Sequence, residues 1–183
     1  MTEDIQEVLF TEEEIQARVA ELGSEITKRY RGKEITVISI LNGAIFFTAD
    51  LLRKIKLNVR LNSIRVSSYL NSTTPIREPA IADGLHHNVE GKHVILIDDI
   101  LDTAQTLSRV ANLFKAQSPA SLRSCVLLDK PARRKVVYQA DFVGFKIPDQ
   151  FVVGYGLDFA QKYRNLPYIG VLRAEITTAI PKA

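Results

Sequence analysis

The chain contains no tryptophan, one cysteine, one methionine and three histidines. A lone thiol cannot close an internal disulfide, so an apolar core has to hold the fold. Cys125 lies in the apolar run Ser124–Leu128, which predicts a small buried core residue and not a reactive thiol. Histidine offers no metal centre: His86 and His87 are neighbours that cannot face one ligand from a regular element, and His93 stands alone. The nine glycines never form a G-x-G-x-x-G turn, which excludes the dinucleotide-binding fingerprint. No apolar run approaches the roughly 20 residues that a membrane-spanning helix needs. Met1-Thr2-Glu3-Asp4 is acidic, where a secretory signal is basic and then apolar. Cytoplasmic residence without a membrane partner is the expectation. Charge of one sign is scarce too: 24 basic and 21 acidic residues leave a net +3. A nucleic-acid binder gathers its basic side chains on one face or helix. Here only Lys130-Pro131-Ala132-Arg133-Arg134-Lys135 is locally basic, and it reads equally as a solvated loop or a phosphate-facing segment. No nucleic-acid partner is expected.

What remains is an ordinary globular composition, 46% hydrophobic and 25% charged, in a chain of 183 residues, the size of one domain. Thr11-Glu12-Glu13-Glu14 has the form of a capping box. Ile15, Val19, Leu22 and Ile26 then make a helical stripe that Gly32 terminates. Ile35–Leu41 reads as a buried strand, Asn42-Gly43 as a turn and Phe46–Ile55 as a helix. Asn58–Tyr69 is extended, and Asn71–Glu78, polar and close to Pro75 and Pro79, is a loop. Strand Val94–Ile97, helix Leu107–Lys115 and strand Leu122–Leu128 follow. Alternation of strands with single helices predicts an α/β fold built on a parallel sheet. Beyond it, Phe142–Phe145, Phe151–Val153 and Tyr168–Leu172 are short apolar runs without long helices between them.

The stretch Val94-Ile95-Leu96-Ile97-Asp98-Asp99-Ile100-Leu101-Asp102-Thr103-Ala104-Gln105-Thr106 carries the most chemistry. A β-branched strand ends in carboxylates, where open α/β sheets place their ligands. Leu107, Val110, Ala111 and Phe114 repeat at helical spacing, so Thr103 and Thr106 stand at a helix N-terminus, whose N–H groups and dipole favour a phosphate. The pattern suits a sugar phosphate whose hydroxyls need acceptors. Asp102 reads from its position alone as an N-cap of that helix.

Residues 94–107 resemble the phosphoribosyl pyrophosphate (PRPP) signature of type I phosphoribosyltransferases. Leu127-Leu128-Asp129-Lys130-Pro131, Asp141–Asp149, Phe151–Asp158 and Tyr163–Gly170 resemble the bacterial hypoxanthine-guanine members of that family. The likeness runs from about Leu9 to Leu172. It implies one phosphoribosyltransferase domain over 1–183, with a parallel-sheet core at about 33–140 flanked by helices. A small hood is implied from about 1–20 and 141–183. It also implies purine salvage: PRPP and hypoxanthine or guanine give IMP or GMP and pyrophosphate, with Mg²⁺ as cofactor, in a homodimer or homotetramer. The alternative is a PRPP-binding regulator with little or no transferase activity.

By the same resemblance, Asp98 and Asp99 meet the ribose hydroxyls, directly or through the metal, and Asp102 accepts the proton near purine N7. Thr103, Ala104, Gln105 and Thr106 hold the 5′-phosphate. Asn42, Gly43 and Arg164 contact pyrophosphate, and Asp158 joins Asp98 and Asp99 at the metal. Lys130 donates to the purine O6, Phe151 stacks on the ring, and the Val152 carbonyl meets its 2-position. Ser68-Tyr69 begins the loop that closes over the site. The chain departs from the family pattern at Asp98, usually Glu, at Ala104, usually Gly, and at Asn42, usually a basic residue. The closing loop also lacks the family's glycines.

Overall fold

A computed structural model of the chain describes residues 2–66, 81–82 and 87–178. A 3-10 turn at Thr2–Asp4 leads into β1 (Ile5–Phe10) and α1 (Glu12–Arg29). Then come β2 (Ile35–Leu41), α2 (Ile45–Lys54), β3 (Val59–Val66), the short β4 (Ile81–Ala82) and β5 (His93–Leu101). The chain continues through α3 (Gln105–Lys115), β6 (Ser121–Asp129), β7 (Phe142–Lys146), β8 (Val152–Val153), β9 (Ile169–Leu172) and α4 (Ala174–Thr178). The predicted closing loop, with Ser68 and Tyr69, lies outside the described residues, as do residues 71–80.

Five strands pair in parallel in the order β3-β2-β5-β6-β7, and β4 adds an antiparallel edge beside β3. Alternation along each strand explains the layers. Ile35 and Val37 of β2, Ile95 and Ile97 of β5, and Cys125 and Leu127 of β6 face the core shared with Ile15, Val19, Leu22 and Ile26 of α1 and Phe47 and Leu51 of α2. Ile38, Ile40, Val94, Leu96 and Val126 face the other way, onto Leu107, Val110 and Phe114 of α3. Both faces are therefore covered, which is why the strands read as continuous apolar runs. Cys125 is fully buried, as its setting in the sequence predicts, and burial pushes its thiol far above the ordinary range.

Two boundaries differ from the sequence expectation by more than two residues. β5 runs on to Leu101 because Asp98, Ile100 and Leu101 keep their ladder with β6, pairing with Val126, Leu128 and Asp129. Tertiary pairing outweighs the poor strand preference of aspartate. The main sheet also reaches Lys146, beyond the expected core limit near residue 140, because β7 pairs with β6. A second, antiparallel sheet, β1-β9-β8, unites the two ends of the described chain, with Ile5 opposite Leu172 and Val152 opposite Val171.

The strand order positions the site. From β2 the chain steps outward through α2 to β3, then returns to lay β5 on the other side of β2. The carboxyl ends of β2 and β5 thus diverge at a topological switch point, the place where such sheets open a crevice.

The Thr11 capping box is complete: Thr11 Oγ1 accepts from the Glu14 N–H at 3.3 Å, and Glu14 Oε2 accepts from the Thr11 N–H at 2.8 Å. Thr11→Ala is expected to cost about 1 kcal/mol, a fall of about 2–4 °C in Tm for a chain of this size, read by calorimetry.

Candidate active site

The crevice at the switch point is a cavity of about 350 Å³. Its floor comes from β5 and the turn that follows: Asp98, Asp99, Asp102, Thr103 and Ala104 line it, with Thr106 from the first turn of α3. Gln105 is exposed and does not line it. Asn42 and Gly43 after β2 form the facing wall, and Asp158 and Arg164 close one side. Eleven of the proposed substrate-contacting residues are thereby brought together from three segments far apart in sequence: Asn42, Gly43, Asp98, Asp99, Asp102, Thr103, Ala104, Thr106, Asp158 and Arg164 line the cavity itself, and Gln105 flanks it.

The turn after β5 is unusual in one respect. Ala104, at the N-cap of α3, adopts φ 69, a left-handed conformation that glycine takes more readily. Its side chain is buried and gives α3 no side-chain cap. Asp102 does not cap α3 either, contrary to the positional reading. Its Oδ1 is buried without a hydrogen-bond partner, and its Oδ2 lies 3.4 Å from Arg133 Nη1. The opposite wall is tight. The Leu41–Asn42 peptide is cis. A Cβ on Gly43 would overlap the Asp99 carboxylate, and a Cβ on Gly156 would overlap the Gly43 carbonyl oxygen. Only glycine at 43 and 156 leaves room for approaches this close.

Arg164 is held in place by its own loop. Nη1 donates to the Gly156 carbonyl at 2.7 Å, and Nη2 meets Gln161 Oε1 at 3.1 Å and Asp158 Oδ1 at 2.8 Å. Asp158 Oδ2 accepts from the Gln161 N–H at 2.9 Å. The loop itself is anchored to α2 and α1, since Tyr155 Oη donates to Asp50 Oδ2 at 2.7 Å and Gln16 Nε2 donates to the same oxygen at 2.8 Å.

Lys130, Phe151 and Val152 stand beside this cavity and do not line it. Lys130 is buried at 4% exposure, which removes the reading of a solvated surface charge; its Nζ donates to the Gln150 carbonyl at 2.8 Å and lies 3.6 Å from Asp149. Its backbone N–H donates to the Leu101 carbonyl at 3.0 Å, next to Asp102. Phe151 is not a core residue: it is 43% exposed, and its ring makes a T-shaped contact with Phe159. Val152 is buried in β8.

Within the basic run Pro131, Ala132, Arg133 and Lys135 are exposed, while Arg134 is half-buried and turned inward. Arg134 donates to the carbonyls of Leu101 and Asp102 and pairs with Asp129, while the N–H groups of Lys135 and Val136 donate to the Thr103 carbonyl. The segment braces the back of the turn after β5. Its charges were legible in the sequence, but their contact with this turn was not, because it spans about thirty residues.

Two adjacent carboxylates dominate the electrostatics. Burial, then the neighbouring Asp99 charge, pushes Asp98 well above the usual carboxylate range. Burial also raises Asp99, against the opposing pull of hydrogen bonds from Asp98 and the Ile100 N–H and of the Arg164 charge. The pair is starved of positive charge and accepts a hydroxyl or a hard cation. Among the described residues no three His, Cys, Asp or Glu side chains converge as a metal cage. Asp158 turns to Arg164, so an ion here would rely on water and substrate oxygens.

The Phosphoribosyl transferase domain model matches residues 6–160. The chain is 47% identical over 176 residues to the hypoxanthine-guanine phosphoribosyltransferase of Bacillus subtilis (strain 168), covering 96% of this chain and 98% of that protein. It is equally similar, 47% over 176 residues, to the bifunctional protein TilS/HprT of Listeria innocua, but spans only 27% of that protein's length. A crystal structure of a hypoxanthine phosphoribosyltransferase from Staphylococcus aureus superimposes with a TM-score of 0.90 at 45% identity, covering 96% of each chain.

A carboxyl whose pKa rises on folding keeps its proton in the native state after the unfolded chain has lost it, so stability falls as pH climbs above the ordinary value of 3.8. Asp98→Asn keeps the acceptor for the Asp99 N–H and removes that penalty. Without substrate, the variant should melt above the wild type at about pH 8, and the gap should narrow toward about pH 4. Equal melting temperatures across this range would mean that the pair carries no such strain.

Proposed function

Because this chain belongs to the phosphoribosyl transferase domain family, we propose that it transfers the 5-phosphoribosyl group of PRPP to hypoxanthine or guanine, releasing pyrophosphate and forming IMP or GMP in purine salvage. The observation that carries the reading is the single cavity in which Asp98, Asp99, Asp102 and the head of α3 face Asn42, Gly43 and Arg164. One end is built for a phosphate, the other for a polyanionic leaving group, and acids lie between them.

In this reaction a purine nitrogen displaces pyrophosphate from C1 of the ribose, which gains positive charge in the transition state. Asp98 and Asp99 accept hydrogen bonds from the ribose hydroxyls and place negative charge beneath that developing cation. The N–H groups at the start of α3, with Thr103 and Thr106, hold the 5′-phosphate. Arg164, already oriented by Asp158 and Gln161, offers a guanidinium to the leaving pyrophosphate. Asp102 takes the proton from N7 as N9 bonds to C1; general-base help of this kind is worth roughly 10²–10⁴-fold. The buried, unpartnered Oδ1 of Asp102 supports that role. Phe151, exposed beside the cavity, stacks on the base, and the Val152 carbonyl borders its 2-position.

The donor set fits Mg²⁺, which binds through a few carboxylates and keeps water and substrate phosphates as its other ligands. When bound with PRPP, Mg²⁺ supplies positive charge that offsets both the pyrophosphate and the paired acids. Asp98 and Asp99 would hold it, with Asp158 within the same cavity. Self-association into a dimer or tetramer is supported by the exposed apolar side chains Ile45, Phe46 and Leu61. Cytoplasmic residence suits substrates too charged to cross a membrane; among the described residues no helix is long and apolar enough to span one. The regulatory alternative rests on Ala104 and Asn42. Ala104 nonetheless takes the left-handed path that glycine would take, so that departure leaves the phosphate turn intact.

The deciding assay supplies PRPP and Mg²⁺ with hypoxanthine, guanine, xanthine or adenine in parallel. Oxopurines should turn over and adenine should not, since a buried ammonium that reads O6 meets donors on an amino group; discrimination of roughly 10⁴–10⁵ is within reach of such a site. Lys130→Ala should shrink the hypoxanthine/adenine ratio, and Asp102→Asn should lower turnover far more than PRPP affinity. Tight PRPP binding with no turnover of any base would favour the regulator.

A further inference from the structure

We propose that Arg133 is a positioning residue for Asp102, an inference that rests on the transferase reading above. The two oxygens of Asp102 live in different surroundings. Oδ1 is buried with no hydrogen-bond partner, whereas Oδ2 lies 3.4 Å from Arg133 Nη1. Nothing in its own turn fixes this carboxylate, since the N-cap of α3 is Ala104 and the cap makes no side-chain bond. Among the described residues, Arg133 makes the one ion pair with this carboxylate.

Arg133 is itself held from both sides. It ends the 3-10 turn Pro131–Arg133, which its neighbour Arg134 ties to the Leu101 and Asp102 carbonyls and to Asp129. Its Nε lies 3.9 Å from Asp149, whose carboxylate also stands 3.6 Å from Lys130 Nζ. The guanidinium is therefore suspended between the proton acceptor and the segment that leads into Phe151. With Oδ1 packed away from solvent and Oδ2 paired with Arg133, rotation of the carboxylate is restrained. The purine N7–H then meets a carboxylate that is already oriented, the logic by which a general base is aimed by a third group.

The side chain is half exposed, and an exposed ion pair contributes little to stability. Its effect belongs on the rate. The test measures the single-turnover rate of IMP formation, with enzyme in excess, for wild type, Arg133→Gln, Arg133→Lys, Asp102→Asn and the Arg133→Gln/Asp102→Asn double variant. PRPP KM and Tm are read alongside. Arg133→Gln should slow transfer about fivefold, a small effect in keeping with an exposed pair, with PRPP KM and Tm unchanged. Arg133→Lys should recover part of the loss. In the Asp102→Asn background the second substitution should have no further effect, because residues that act as a unit are not additive.

An unchanged rate in Arg133→Gln, an equal loss in both backgrounds, or a loss expressed in PRPP KM would overturn the inference while leaving the transferase reading intact. A wild type inactive toward every oxopurine would sink that reading and take the inference with it.

Discussion

Only a hydrogen fits on the Cα of Gly43. The Asp99 carboxylate crowds it on one side, and the Gly43 carbonyl in turn excludes any side chain at Gly156. Three segments, one after β2, one at the end of β5 and one beyond β8, thus meet at a single point, the first and last through their main chains and the second through the Asp99 side chain. Each brings its own chemistry there: acids from β5, the arginine loop from beyond β8, and an uncharged polar turn from β2. The cavity is the space left between them.

That closeness has an electrostatic cost that the fold carries deliberately. Two neighbouring carboxylates are drawn out of water, and the Arg164 charge offsets that burial for Asp99 alone. Packing elsewhere is strong enough to hold them: the central strands β2, β5 and β6 are covered on both faces, and α1 contributes four fully buried apolar residues. The loop that carries Arg164 is tied to the helices by the Tyr155–Asp50–Gln16 bonds. Tyr155 is buried there, and its hydroxyl is held far above the ordinary range by burial and by Asp50.

The parallel sheet was legible because its central strands β2, β5 and β6 are buried on both faces, so hydrophobicity marks them directly. The helix at 12–29 was legible twice over, by the period of its stripe and by the Thr11–Glu14 cap. The acid-rich turn was legible by its place at a strand end. What escaped reading depends on contacts distant along the chain. β5 keeps its ladder through two aspartates because β6 lies alongside. The two-residue β8 acquires an identity only by pairing with β9. Asp102 looked like a helix cap, but the left-handed Ala104 took that place and left the carboxylate to a different partner. The run 130–135 showed its charge but not the carbonyls at which it aims.

The single thiol of the chain has a consequence of its own. Cys125 sits at zero exposure in β6, a central strand, between Ser124 and Val126. An alkylating reagent can reach it only when the sheet itself comes apart. The sequence therefore carries a built-in gauge of global opening, one whose labelling rate ignores fraying at the ends and movement near the crevice.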